Sequence, residues 1–346
     1  MQFIWSRVAQ AVVSLLAVIG VSVAPVPEPI AFHPTPPPTV FETRIDRGAP
    51  PMRESVTEQR IAPPASSFIP HMRNSVSKII KPIMKSESMA VKAGKRISDG
   101  MCEGEGAPYK LSVSPMKAED FSHVIPYGSV VGGHVTPIDH QYFPPTIFRS
   151  PPDTYEVRAM ADAKLVRYEP HATRIRLIFS VTCTYFYYYD LLTSVQTGIN
   201  QKSLPLDVKA GDLIGRIGGQ TLDFAVWDTT QTLKGFIVPE HYDAEPWKIY
   251  TVDPLDYYTD ELKALILSKY VRTAEPRSGK IDYDIDGKLI GNWFEEGTYG
   301  YGGKEGFTSE RKYWDGHLAI MPDNYDPRRF IISVGYLEGE DGQNQF

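Results

Sequence analysis

Twelve of the chain's 29 prolines fall between residues 25 and 70, which confines any folded core to what lies around that stretch. Proline has no backbone N–H and fixes φ, so PVPEPIAF, HPTPPPTV and IAPPASSFIP cannot feed a helix or a strand ladder. With no apolar periodicity either, they read as extended spacer. Of 346 residues, about 250 then remain for structure, and 42% hydrophobic with 12% aromatic content is enough to build a sizeable core from them.

Ahead of the spacer, Arg7 precedes an apolar run over residues 8–23, and Ser22-Val23-Ala24 has the small-x-small pattern of a signal-peptidase site. The first reading of residues 1–24 is a cleaved secretory signal. An uncleaved anchor is the second, since the run is slightly short of the ~20 residues that span a bilayer. No cysteine follows the run, so it is not a lipoprotein anchor. Either reading places the bulk of the protein outside the cytoplasmic membrane, secreted or envelope-associated, with membrane contact only through an uncleaved N-terminus. Behind the spacer, residues 71–96 are basic and read as partly helical with an interruption at Pro82, a tether that could touch anionic lipid or wall polymer.

A net charge of −6 argues against a nucleic-acid partner, which needs a basic footprint. No GxGxxG, GxxxxGK[ST] or GxSxG occurs, which leaves dinucleotide, P-loop and serine-hydrolase chemistry without a motif. Two cysteines exclude a cysteine-ligated zinc finger or an iron–sulfur cluster. In an oxidising compartment Cys102 and Cys183 can form one disulfide; two unpaired thiols is the other reading.

Beyond residue 101 the pattern is that of strands. Tyr155, Val157 and Ala159 alternate with Glu156 and Arg158, and Ile175 and Leu177 with Arg174 and Arg176. Residues 180–189, 212–217 and 222–226 are further strand pieces. One helix is expected over 259–272, with Thr259 as cap, Asp260 and Glu261 in the first turn, and Leu262, Leu265, Ile266 and Tyr270 at helical spacing. After it, Asp286-Gly287 between Ile281, Tyr283, Ile285 and Leu289 signals a two-residue hairpin.

Four phrases stand in order: GSVVGGHVTPIDHQYF, then ADAKLVRYEPHATRIRLIFSVTCTYFYYYDLL, then VKAGDLIGRIGG, then QTLDFAVWD. This order resembles the lysostaphin-type peptidoglycan endopeptidases over roughly residues 125–227. The resemblance implies an antiparallel β fold of the duplicated-hybrid-motif kind and zinc bound through HxGxD and HxHF phrases. Residues 208–219 match the family's turn phrase closely, while the ligand phrases are altered. With Asp139 at the family's aspartate, Val135 holds the histidine position and His134 lies beside it; shifted by one, His140 and Thr136 take the two places. Thr221 and Asp223 occupy the positions of HxHF, and Asp190 that of the histidine in YxHL. The resemblance therefore offers His134, Asp139, His140 and Asp223 as metal ligands, not all at once, with Asp190 as the catalytic candidate. A carboxylate-rich set would make zinc a weaker Lewis acid, and Thr221 cannot serve as a base at neutral pH.

Other features have plainer readings. Asp282-x-Asp284-x-Asp286-Gly287 begins like a calcium loop, but Trp293 stands where the twelfth-position glutamate belongs. Tyr185, Tyr187 and Tyr189 would share one face of a strand and Phe186 and Tyr188 the other, with one face buried and the other partly wet. His171 and His241 read as surface residues, and Trp293 and Trp314 as core or rim.

The sequence thus predicts a mainly β chain, divided as follows: residues 1–24 signal or anchor, 25–100 linker, 101–258 a lysostaphin-like β domain, 259–272 a helix, and 279–346 a smaller C-terminal β domain, whole or truncated. The expected role is non-catalytic binding of a cell-surface polymer or an envelope protein. A zinc-dependent endopeptidase acting on wall or envelope peptides is the competing expectation.

Overall fold

In a computed structural model, residues 87–106, 109–131, 133–304, 306, 314–335 and 344–345 are described. The apolar N-terminal run, the proline-rich stretch and most of the basic one lie outside the described residues. The architecture is mainly β and antiparallel, as the alternation predicted.

Six strands form the central sheet: β1 (Gln141–Phe143), β3 (Ala163–Pro170), β4 (Ile175–Ser180), β5 (Tyr185–Leu192), β7 (Leu206–Val208) and β9 (Leu222–Asp228), in the order β1-β9-β5-β4-β3-β7. A three-stranded sheet, β2-β8-β6, is built from β2 (Tyr155–Arg158), β6 (Ser194–Val195) and β8 (Leu213–Ile217). Toward the C-terminus, β10 (Gly291–Phe294), β11 (His317–Pro322), β12 (Phe330–Val334) and β13 (Asn344–Gln345) form the third sheet in sequence order.

Side-chain alternation along β5 assigns the two faces of the central sheet. Tyr185, Tyr187 and Tyr189 join Leu177, Phe179, Phe224 and Val226 in a core closed by Tyr155 and Val157 of β2 and Ile214 and Ile217 of β8. Phe186, Tyr188, Ala225 and Trp227 face the other way, against Val91, Ile97, Trp247 and Ile281. The expectation of a partly wet face on β5 is therefore corrected. Additional chain from both ends of the molecule packs on the second face, and all four tyrosines from Tyr185 to Tyr189 are buried.

A helix, α1 (Met89–Ile97), lies in the stretch read as tether. Ser88 caps it by accepting from the Val91 amide, and Val91, Gly94 and Ile97 form its buried side. Glycine at 94 permits contact with the backbone: a Cβ there would sit 1.7 Å from the Cys183 carbonyl oxygen. Cys102 and Cys183 form a disulfide, with their Cα atoms 4.9 Å apart. The partly helical reading of the basic stretch thus holds over Met89–Ile97, where capping and burial of one helical face outweigh the basic composition, and folded structure begins before residue 100.

The second helix, α2 (Asp260–Lys269), starts at the Thr259 cap and buries Leu262 and Ile266, as its spacing predicted. The predicted hairpin at Asp286-Gly287 is a turn without a ladder. Ile285 N–H donates to the Ile290 carbonyl at 3.2 Å, but β10 pairs with β11 instead. Two of the three aspartates are engaged elsewhere. Asp282 accepts from the Gly235 amide, and Asp284 accepts from the amides of Ile237 and Asn292, so the carboxylates hold neighbouring backbone.

Candidate functional site

Residues 139 and 140 lie in a bend just before β1, not in a regular strand. Strict alternation does not apply there, so both side chains enter one buried polar cluster. The one-residue ambiguity of GGHVTPIDHQYF disappears, because neither frame excludes the other. His140 Nδ1 is 3.4 Å from Asp139 Oδ1, and His140 Nε2 is 3.3 Å from Asp223 Oδ2. Asp223 is delivered by β9, whose register pairs it with Tyr142 of β1 and with Asp190 of β5.

The cluster's cations come from residues that carried no signal in the sequence. Lys248, in a short 3-10 turn (Lys248–Tyr250), places Nζ 2.9 Å from Asp139 Oδ1 and 3.6 Å from Glu245 Oε2, with 1% of its side chain exposed. Its ammonium also lies 4.2 Å from the centre of the Tyr301 ring. Tyr301 stacks on His317, so the C-terminal strand block reaches this cluster through aromatic contact. Arg176 was expected only as the polar half of an alternating strand. It stands instead on the second face of the sheet, 2.8 Å from Asp190 Oδ2, and Arg174 reaches the same oxygen at 3.1 Å. The Arg176 guanidinium lies 5.6 Å from the Tyr188 ring and 5.9 Å from that of Trp247.

These contacts order the protonation states. Burial works against charge on Asp139, but the Lys248 ammonium and His140 hold its carboxyl well below the usual range. Asp190 is likewise buried, and Arg176 and Arg174 keep it ionised below the ordinary value. Asp223 makes no direct contact with a lysine or arginine among the described residues, and Arg176 acts on it only at a distance. Burial pushes it up to about 6, despite His140 and the hydroxyl of Thr221, which donates to its Oδ1 at 3.1 Å. Burial raises Glu245 as well. His134, its ring 5.9 Å from that of His140, is driven down to about 3 by burial, His140 and Lys248.

Of the residues singled out in the sequence, the fold brings Asp139, His140 and Asp223 into direct contact, sets His134 beside them, and places Asp190 across the ladder from Asp223. It does not assemble a zinc site from them. A catalytic zinc takes three protein donors converging on one point. Here His140 Nε2 and Asp223 Oδ2 face each other, while Asp139 is turned to the other ring nitrogen and to an ammonium. Among the described residues no group of three or more His, Cys, Asp or Glu side chains is arranged to hold a metal ion. The residues present do not fit the ion that the resemblance implies.

Together, fold and site define a mainly β chain whose central sheet covers a buried, internally neutralised cluster of charged groups. No family model matches the sequence, and no curated protein matches it. Solved structures do resemble it. Csd3 of Helicobacter pylori, in its hexagonal crystal, is 16% identical with a TM-score of 0.30, over 45% of this chain and 34% of that one. The catalytic domain of the antimicrobial peptidase lysostaphin from Staphylococcus simulans is 16% identical with a TM-score of 0.27, over 42% of this chain and 97% of that one. A zinc-containing peptidase from Vibrio cholerae is 21% identical with a TM-score of 0.26, over 37% of this chain and 38% of that one. The chain thus spans about a third of the Csd3 chain.

Proposed function

We propose that this chain is an exported, non-catalytic protein of the cell envelope that binds a cell-surface polymer or an envelope protein. The observation that carries the reading is the Lys248–Asp139 contact at 2.9 Å. A fixed ammonium answers a carboxylate that the sequence resemblance offered to zinc, and a dication brought there would meet that like charge. Asp190, the catalytic candidate, is engaged by two guanidinium groups. Export is supported by the Cys102–Cys183 disulfide, since such bonds persist in oxidising compartments. No helix among the described residues is long and apolar enough to cross a membrane.

A second reading, a zinc endopeptidase acting on wall or envelope peptides, has one observation in its favour. The 3.3 Å between His140 Nε2 and Asp223 Oδ2 is close to the donor spacing of about 3.3 Å around a tetrahedral zinc. Elemental analysis of the full chain purified without chelator separates the two readings. Metal far below one equivalent, with no cleavage of isolated wall, is the expected result. Near-stoichiometric zinc that His140→Ala and Asp223→Ala both abolish would sink the binding reading.

A further inference from the structure

A buried lysine in contact with a buried aspartate is placed to react as well as to attract. Lys248 Nζ lies 2.9 Å from Asp139 Oδ1, with 1% and 6% of the two side chains exposed. Different parts of the fold hold them: the bend before β1 carries Asp139, and the turn at Lys248–Tyr250 carries Lys248. Glu245 Oε2 stands 3.6 Å from the same nitrogen, and the centre of the Tyr301 ring 4.2 Å from it. His140 Nδ1 approaches Asp139 Oδ1 at 3.4 Å. An amine, a carboxyl, and a second carboxyl able to carry a proton between them are the parts of an amide condensation.

The burial of the pair favours that reaction. In bulk water an ammonium and a carboxylate resist condensation, because both ions are well solvated and water is in excess. Here both have left water, a cost that their attraction only partly offsets, whereas an amide carries no charge to desolvate. Groups held in register react as though at about 10⁵–10⁸ M.

We infer that Lys248 and Asp139 condense after folding into an intramolecular amide between Nζ and Cγ, with Glu245 as the proton carrier. The ion pair first passes a proton from Nζ to Oδ2, leaving an amine and an acid. The nitrogen lone pair attacks Cγ, and the carbonyl electron pair moves onto Oδ1, beside His140. Glu245 carries a second proton from the nitrogen to Oδ2. The Cγ–Oδ2 bond breaks, Oδ2 leaves as water, and Oδ1 returns to a carbonyl. Ammonium and carboxylate have become amide and water, with no oxidant, reductant or outside proton. The ions must surrender their charges first, so the step is slow and the freshly folded chain holds the ion pair. As ions or as an amide, the pair withholds Asp139 from a metal; the inference uses only this contact and does not rest on what the protein binds.

Intact-mass measurement of the full chain over days after folding tests it. The mass should fall by one water beyond the change due to the disulfide, and digestion should yield one branched peptide joining residues 139 and 248. Lys248→Arg keeps a cation beside Asp139 without an amine, and should hold its mass. Glu245→Gln should lose water about 100-fold more slowly or worse. If a variant fails to fold, the branched peptide of the parent still decides. A parent that keeps its full mass overturns the inference, and so does a water loss that Lys248→Arg retains, which would mark a succinimide at an Asp-Gly step. An unchanged rate in Glu245→Gln overturns the part given to Glu245.

Discussion

Lys248 Nζ and Asp139 Oδ1 lie 2.9 Å apart with 1% and 6% of their side chains exposed, an ion pair set inside the polar cluster of the central sheet. Such a pair is worth little against a well-packed apolar substitute, but breaking it leaves a buried charge without its counter-ion. Lys248→Met should therefore destabilise the fold by about 3–5 kcal/mol, read from urea denaturation. The double variant Lys248→Met/Asp139→Asn should recover most of that loss. A single variant as stable as the parent would show that the pair is not needed.

Asp223 has the opposite electrostatic history. Its folded pKa of about 6 lies above the ordinary aspartate value of about 3.9, so the folded protein holds a proton that the unfolded chain has released. Stability contributed by this group is complete at acid pH and is lost as pH rises from about 4 to 6, by about 3 kcal/mol at most. Asp223→Asn lacks that loss. Denaturation at a series of pH values should show the variant gaining on the parent across this window and holding its advantage above it. Parallel curves would refute the assignment.

The disulfide joins residues 81 apart in sequence. In the chain-entropy model a loop of that length is worth about 4–5 kcal/mol. Reduced protein, or the Cys102→Ser/Cys183→Ser variant, should unfold at correspondingly lower denaturant concentration. Equal midpoints would remove the bond from the account of stability.

At Gly94 a methyl group has no room, since the Cys183 carbonyl oxygen would stand 1.7 Å away. Gly94→Ala should lift α1 from the sheet at a cost of about 1–3 kcal/mol or more. Limited proteolysis should then cut first within residues 89–97. Protection equal to that of the parent would mean that the helix re-seats without strain.

Much of the scaffold was legible because it follows local rules. The Thr259 cap and the spacing of Leu262 and Ile266 mark α2, and alternation marks the strands. The turn phrase over residues 208–219 falls as read, with Gly211 and Gly219 at positive φ. Alternation also sorted the tyrosines of β5 correctly between faces, but it could not show that α1 and the segment around Trp247 would cover the second face. Nothing local marks Lys248, whose partner lies more than a hundred residues earlier in the chain. Arg176 could have been found by pairing β4 with β5, which sets it near Asp190, yet a lone arginine on an alternating strand reads as solvent-facing. Adjacent Asp139 and His140 looked contradictory only while their segment was taken for a regular strand.

The Cys102–Cys183 bond also fixes how the molecule bears load. Tension applied on the N-terminal side of Cys102 can unravel α1, but at Cys102 it crosses the covalent bridge and re-enters the chain at Cys183. The segment between the cysteines is shunted out of the line of force. Asp139 and His140 lie within that segment, so two members of the charged cluster sit on chain that a pull along the backbone does not stretch.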